Sequence, residues 1–139
     1  MKREKHTLLK KGDLWIDPDT MRPWSGIMFS TFKGSSVIEE WIPVQDGRVN
    51  GVWETFYPDS SPKSRVAYLH GVLHGEYEEF FDNGQLREQG SSQHGNPHGS
   101  YEEYYKNGQL REKGSYSTGK FEEYDRYGRR TKRGRRIGD

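Results

Sequence analysis

A segment of sixteen residues occurs twice in the chain, almost unchanged. Residues 75–90 read GEYEEFFDNGQLREQG and residues 99–114 read GSYEEYYKNGQLREKG, and two weaker copies lie upstream and downstream. The spacings between successive opening glycines are 25, 24, 24 and 20 residues, for Gly26, Gly51, Gly75, Gly99 and Gly119. A fixed period of about 20–50 residues indicates a repeat array. The sequence therefore predicts tandem repeats of about 24 residues.

Each clear copy contains two strand-like runs separated by an Asn-Gly pair. Aromatic residues favour strands, and Asn-Gly between two such runs is typical of a hairpin with a type I′ turn, in which both central residues have positive φ. The second unit has residues 57–63, YPDSSPK, in place of Asn-Gly, so we expect a longer loop there. The residues that define the repeat are Gly75, Tyr77, Asn83, Gly84, Gly99, Tyr101, Asn107 and Gly108.

A single hairpin of this kind buries too little apolar surface to be stable alone, so neighbouring copies must stack side by side. The hydrophobic content of 29% lies below the roughly 45–50% of ordinary globular domains, whereas aromatic residues make up 14% and recur with the repeat. No segment shows the 3.6-residue periodicity of a helix. We therefore expect an all-β fold, an elongated single-layer antiparallel meander sheet of tandem β-hairpins.

The pattern G-x-[YW]-x-x-[YF]-[YF]-x-x-G-x-L, followed by a glycine and a loop ending in His-Gly, resembles the MORN repeat. It is most similar to the bacterial variant found in YwqK-family antitoxins. The residues that carry the resemblance are Gly75, Tyr77, Phe80, Phe81, Asn83, Gly84, Leu86, Gly90, His98 and Gly99. The resemblance covers about residues 12–130, and it implies a MORN-like protein that neutralises a cognate protein toxin by direct contact.

Charge divides the chain into three parts. Residues 1–11 carry five basic side chains against one acidic, residues 125–139 carry seven against two, and the part between them has ten against eighteen. We expect a flexible basic lead at 1–11, a repeat domain at 12–130 and a flexible basic tail at 131–139. The acidic repeat domain suits a basic partner, such as a basic toxin.

Side chains alternate between the two faces of a strand, so the neighbouring glutamates of each unit point to opposite faces. We predict that one face contacts the partner through Glu78, Phe80, Glu102, Tyr104, Glu122 and Tyr124, and that Tyr77 and Tyr101 lie on the other face. The alternative is that the paired glutamates only solvate the sheet, with Arg87, Arg111 and Lys113 as cross-strand partners.

Four histidines recur with the repeat. His70 and His74 have the same spacing as His94 and His98, which suggests either a metal site between units or a His-Gly element of the repeat itself; the second interpretation is favoured. There is no cysteine, no glycine-rich phosphate loop and no nucleophile motif. We therefore predict neither an enzyme nor a cofactor or metal.

Two alternative functions fit the same pattern: a membrane-surface scaffold whose basic tail binds anionic lipid, and a phage or bacterial inhibitor that sequesters a ligand between repeats. Nucleic acid is a less favoured partner for the tail, and the open sheet edges could form a homodimer. No apolar run reaches the roughly 20 residues of a transmembrane helix, and the basic N-terminus is not followed by a signal core. We expect a cytoplasmic protein.

Overall fold

A computed structural model of the chain describes residues 1–136. It contains fifteen strands and one short 3₁₀ helix, Lys5–Thr7. Twelve strands form one large sheet, in the order β1-β5-β6-β8-β9-β10-β11-β12-β13-β14-β15 with β7 beside β6, and the other three form a small sheet, β2-β3-β4. The expected all-β meander of hairpins is confirmed.

The N-terminal half contains the first nine strands, which include the whole of the small sheet. In chain order these strands are β1 (Lys2–Glu4), β2 (Leu9–Lys11), β3 (Leu14–Asp17), β4 (Arg22–Pro23), β5 (Gly26–Thr31), β6 (Ile38–Gln45), β7 (Arg48–Val49), β8 (Gly51–Phe56) and β9 (Pro62–Leu69). The pair β1-β5 is parallel, and the hairpins β5-β6 and β8-β9 are antiparallel.

The small sheet gives the N-terminal third a second layer that the sequence did not predict. It packs against the large sheet around a cluster of buried side chains, Leu8, Trp24, Met28, Ile42, Val44 and Val49. The backbone amide of Trp15 donates to the carbonyl of Gly47 over 2.8 Å, which ties the small sheet to the β6-β7 turn. The prediction of a flexible lead at 1–11 is wrong, because these residues form β1, the 3₁₀ helix and β2.

The two clear repeats and the last unit form the rest of the sheet as three antiparallel hairpins. Their strands are β10 (Val72–Phe80), β11 (Leu86–Gln93), β12 (Asn96–Tyr104), β13 (Leu110–Ser115), β14 (Lys120–Tyr124) and β15 (Arg130–Arg135). Because β15 includes residues 130–135, the expected flexible tail is an ordered edge strand over that range. Residues 137–139 of the predicted tail lie outside the described residues.

The turn inside each unit is not the predicted type I′ turn. In the third unit the amide of Gly84 donates to the carbonyl of Phe81 over 3.0 Å, and the amide of Phe81 donates to the carbonyl of Gln85 over 2.8 Å. Gly84 has φ +86° whereas Asn83 does not have positive φ. This is a type I turn followed by a left-handed glycine. The second unit has the same turn over residues 57–61, with Ser60 at φ 71° in place of the glycine, so the longer loop expected there is also wrong.

The side chain of Asn83 connects neighbouring units instead of supplying positive φ. Its Oδ1 accepts from the amide of Gln85 over 3.0 Å, and its Nδ2 donates to the carbonyl of Lys106 in the next turn, also over 3.0 Å. Asn107 makes the same pair of bonds one unit further on, to Gln109 and Arg126. The asparagines thus join three successive turns.

The type I′ geometry occurs between units. Asp46-Gly47, His70-Gly71 and His94-Gly95 each have positive φ at both residues, and each forms a loop of two residues between paired strands. A loop of two residues with positive φ matches the twist of antiparallel strands. His70-Gly71 and His94-Gly95 therefore connect one hairpin to the next, whereas His98-Gly99, the pair that carries the resemblance, lies inside β12.

We expect Ile42→Ala to lower the free energy of unfolding by about 2–5 kcal/mol, because Ile42 is 0% exposed in the only part of the described chain with two layers. Val52→Ala is the matched control, because Val52 is 45% exposed and surface changes usually stay within about 0.5 kcal/mol. Urea unfolding followed by tryptophan fluorescence measures both. Equal losses for the two variants would show that the N-terminal cluster does not stabilise the fold.

Candidate protein-binding surface

The part of the large sheet formed by β10 to β15, which we call the repeat half, has two uncovered faces that differ in chemistry. Residues directly opposite each other in a pair of strands lie on the same face, so the observed register assigns every side chain. We call the face that bears Tyr77, Tyr101 and Phe121 the tyrosine face. The other, which bears Glu78, Glu102 and Glu122, we call the mixed-charge face.

The mixed-charge face carries all six residues predicted to contact a partner. Its glutamates do not form an acidic column, because basic or neutral side chains alternate with them across the strands. The directly opposed row is Glu54, Arg65, Glu78, Gln89, Glu102, Lys113, Glu122 and Arg133. The Nζ atom of Lys113 lies 3.8 Å from Oε2 of Glu122. Lys113 is thus a cross-strand partner of a glutamate, which is what we expected if the glutamates only solvate the sheet. Opposite charges in such a row stabilise the sheet.

The predicted aromatics of this face contact its charged side chains. The guanidinium of Arg65 lies 5.8 Å from the ring centre of Phe80. The hydroxyl of Tyr104 donates to Glu102, and that of Tyr124 donates to Glu122, in each case within one strand. The hydrogen bond from Tyr124 is the main cause that lowers the pKa of Glu122. All six residues thus belong to one surface, on which basic and neutral side chains separate the glutamates.

Five glutamates lie in one row on the tyrosine face. Glu79 is opposite Glu88, Glu88 is opposite Glu103, and the row continues through Glu112 to Glu123. We call these five residues the glutamate row. Directly opposed like charges destabilise a sheet, so this row needs cations. Glu88 and Glu112 were not among the residues predicted to contact a partner, although a hairpin centred on Asn83-Gly84 already places Glu79 opposite Glu88.

Basic residues from both ends of the chain lie on this face. At the N-terminal end, Lys5 contacts Glu40 over 3.3 Å and lies 5.7 Å from the ring centre of Trp53; Glu40 belongs to the same cross-strand line as the glutamate row. At the C-terminal end, Arg136 contacts Glu112 through both terminal nitrogens, at 3.0 and 3.1 Å.

Arg136 is held by more than this ion pair. Its guanidinium lies 3.9 Å from the ring centre of Phe121, donates to the hydroxyl of Tyr101 over 2.9 Å and approaches Glu123 within 3.5 Å. The hydrogen bond from Arg136 is the main cause that lowers the pKa of Glu112. Two carboxylates, a hydroxyl and an aromatic ring therefore form a complete guanidinium site.

Fewer cations neutralise the charges in the middle of the glutamate row. Among residues 1–136, no cation forms an ion pair with Glu79 or Glu88, and Glu103 has Arg111 at 3.7 Å. Burial, followed by the charges of Glu112 and Glu88, raises the pKa of Glu103. The hydroxyl of Tyr77 donates to Glu88 over 3.1 Å. Burial and this carboxylate raise the pKa of Tyr77, so the phenol stays protonated and remains a donor.

The histidines lie at one edge of the array. His70 and His94 occupy the type I′ turns, and the rings of His74 and His94 are 5.4 Å apart. In the part of the chain that the structure describes, no three metal-ligating side chains form a group that could hold an ion. The same residues include no helix long and apolar enough to cross a membrane.

We expect Arg136→Ala to destabilise β15 by about 1 kcal/mol, because it removes a paired guanidinium and a cation–π contact. Arg136→Lys should recover only part of this loss, because it restores the positive charge but an ammonium lacks the planar fork of the guanidinium. Amide hydrogen exchange of β15 measures the effect. Arg126→Ala is the control of equal charge, and equal exchange rates in the two alanine variants would contradict the role of Arg136.

We expect Glu103→Gln to stabilise the protein by about 0.5 kcal/mol at neutral pH, because it removes a like charge from the row. The raised pKa means that Glu103 destabilises the fold above that pKa, and that this penalty disappears as the pH falls below the ordinary value of 4.5. Urea unfolding at pH 7 and pH 4 tests the sign. Glu76→Gln on the other face is the control, and a gain that persists at pH 4 would contradict the interpretation.

Comparison with solved structures finds four matching chains, and the two described here have low similarity to this one. One is a mutant of S. aureus TarM in complex with Fondaparinux, alpha-GlcNAc-glycerol and UDP, with 13% identity and a TM-score of 0.39 over 81% of this chain and 20% of that chain. The other is TarM, with 12% identity and a TM-score of 0.37 over 78% and 19%. The present chain thus spans about a fifth of their length.

No curated protein matches the chain. A protein-family model described as the MORN repeat variant matches it twice, at residues 73–94 and 97–118. The first match covers most of β10, all of β11 and the turn between them, and the second covers the same parts of β12 and β13. MORN repeats are non-catalytic modules that in general bind proteins or lipids. Two segments of the chain, together less than half of its length, are therefore similar to the MORN repeat variant.

Proposed function

We propose that this chain is an antitoxin or immunity protein that neutralises a basic protein toxin by covering it with the repeat half of the sheet. Such a protein binds its partner without chemistry, so it needs a rigid surface of complementary charge. The glutamate row supports the proposal, because five partly exposed carboxylates lie in one line on an uncovered face. Among residues 1–136, only the C-terminal end of this row is bound by a guanidinium through both terminal nitrogens.

The shape of the array also supports a protein partner. A flat sheet without a second layer exposes a broad surface, whereas small-molecule sites are usually enclosed. Aromatic side chains frequently provide the main contacts at protein interfaces, and Tyr116 is 47% exposed beside the glutamate row. We propose the tyrosine face as the primary contact surface. The mixed-charge face, with Phe80, Tyr104 and Tyr124, is the second candidate surface.

The experiment is a pull-down from the native host with the tagged chain, at low and at raised salt, followed by a growth assay. We expect a basic protein that is released by salt, that arrests growth when expressed alone, and that no longer does so when the chain is co-expressed. The variant Glu88→Lys with Glu103→Lys should abolish rescue, because it reverses the charge of the row's centre.

A second pair of substitutions decides between the two faces. Glu78→Lys with Glu102→Lys makes the same change of charge on the mixed-charge face. If rescue is lost with this pair and retained with the pair at Glu88 and Glu103, the mixed-charge face is the contact surface. If no captured protein is toxic, or if the chain binds a toxin and does not relieve its toxicity, the antitoxin function is wrong.

Binding to anionic lipid is the second candidate function, and the C-terminal edge favours it. Every residue of β15 is exposed. The lining of a groove of about 690 Å³ includes four basic residues, together with Phe121 and Glu122: Lys113, Lys120, Arg133 and Arg135. Sedimentation with phosphatidylserine vesicles tests this, with phosphatidylcholine vesicles as control. Arg133→Gln with Arg135→Gln should abolish binding and retain β15, whereas deletion of the segment would remove a strand.

A further inference from the structure

The last two units place different residues at one equivalent position. The backbone amide of Arg136 donates to the carbonyl of Gly119 over 2.7 Å, and that of Tyr116 donates to the carbonyl of Gly99 over 2.9 Å. Arg136 then lies over the ring of Phe121, and Tyr116 packs on Tyr101 with ring centres 4.7 Å apart and the rings tilted by 40°. Tyr116 is therefore the counterpart of Arg136 one unit earlier.

The groups around these two residues also correspond. Arg136 meets Glu112, Glu123 and the hydroxyl of Tyr101. The repeat places Glu88, Glu103 and the hydroxyl of Tyr77 in the same relation to Tyr116, and both the pKa of Tyr77 and that of Tyr116 are raised in part by charges of this group. The earlier unit thus has the carboxylates of a guanidinium site, but a neutral phenol in the place of Arg136. Glu103 has only the longer contact with Arg111, at 3.7 Å, among residues 1–136.

We propose that Glu88 and Glu103, beside the ring of Tyr116, form a binding site for an arginine side chain of a partner protein. The inference rests on the proposed function, to which it adds the residue type that the partner presents. Arg136 on Glu112 and Lys5 on Glu40 show that cations from distant parts of the chain bind carboxylates of this face.

Arginine fits the site better than lysine does. Directly opposed residues have Cβ atoms about 4.5–5.5 Å apart, so one planar guanidinium can donate to both carboxylates at once. Its flat face can also stack on an exposed tyrosine ring. An ammonium is a compact, strongly hydrated charge and gains neither contact fully.

The test uses the full chain and three labelled hexapeptides, Gly-Arg, Gly-Lys and Gly-citrulline each repeated three times, with affinity measured by fluorescence anisotropy. Citrulline has the shape of arginine without its charge. We expect the arginine peptide to bind about tenfold more tightly than the lysine peptide, and the citrulline peptide to bind more weakly than both. Equal affinities for the arginine and lysine peptides would overturn the proposal.

Three variants of equal charge change locate the site. Glu103→Gln removes an acceptor, Tyr116→Arg fills the site from within the chain, and Glu76→Gln makes the change on the opposite face. The first two should weaken arginine binding about tenfold and the third should leave it unchanged. If Glu76→Gln weakened arginine binding as much as Glu103→Gln does, binding would depend on net charge alone, and the proposed site would be wrong. Glu88→Gln replaces Glu103→Gln if that variant does not fold.

The two proposals fail separately. If the arginine peptide does not bind but the chain still relieves the toxicity of its partner, the arginine site is wrong and the antitoxin function stands. If the peptide binds as described but no toxic partner exists, the site stands and the antitoxin function is wrong.

Discussion

The repeat half of the molecule depends on aromatic rings that lie flat over glycines of the neighbouring strand. A Cβ atom at Gly90 would lie 2.7 Å from the hydroxyl of Tyr77, and one at Gly114 would lie 2.7 Å from the hydroxyl of Tyr101. Phe121 covers Gly134 in the same way. Apart from the N-terminal cluster and Ile16 of the small sheet, Tyr101 and Phe121 are the buried hydrophobic residues of the described chain. In a sheet with one layer, this contact replaces the core.

The same packing accounts for the glutamate row. A tyrosine ring laid across a glycine places its hydroxyl beside the residue two positions earlier in that strand, which is Glu88 before Gly90 and Glu112 before Gly114. Each hydroxyl donates to that carboxylate. The acids that repel one another across the strands are therefore also the acceptors that orient the rings. The last unit has phenylalanine in the tyrosine position, and Arg136 covers its ring from outside.

The sequence predicts the hairpins, their period and the alternation of faces, because these follow from local patterns. It also predicts the register inside a hairpin, since Glu79 lies opposite Glu88 in the structure, as in a hairpin centred on Asn83-Gly84. The register between units does not follow in this way. Counting back from the His94-Gly95 turn places Glu88 opposite Tyr101, but the irregularity between Gln89 and Ser91 places it opposite Glu103.

The termini were predicted poorly for a different reason. Basic composition suggested flexible ends, yet Lys5 and Arg136 are ordered by carboxylates that lie far away in the sequence. Likewise, the second layer at the N-terminal end depends on Leu8 and Trp24 meeting Met28 and Ile42. Such contacts depend on the tertiary fold and leave no periodic pattern in the residues that make them.

The positions of the two edge strands determine how the protein would respond to a pulling force. β1 and β15 lie at opposite edges of the large sheet, so tension between the chain ends acts across the strands and separates them one ladder at a time. β15 contributes no buried side chain, whereas β5 and β6 contain Met28 and Ile42, both fully buried. The array would therefore peel from its C-terminal edge, hairpin by hairpin, and the two-layered N-terminal end would open last.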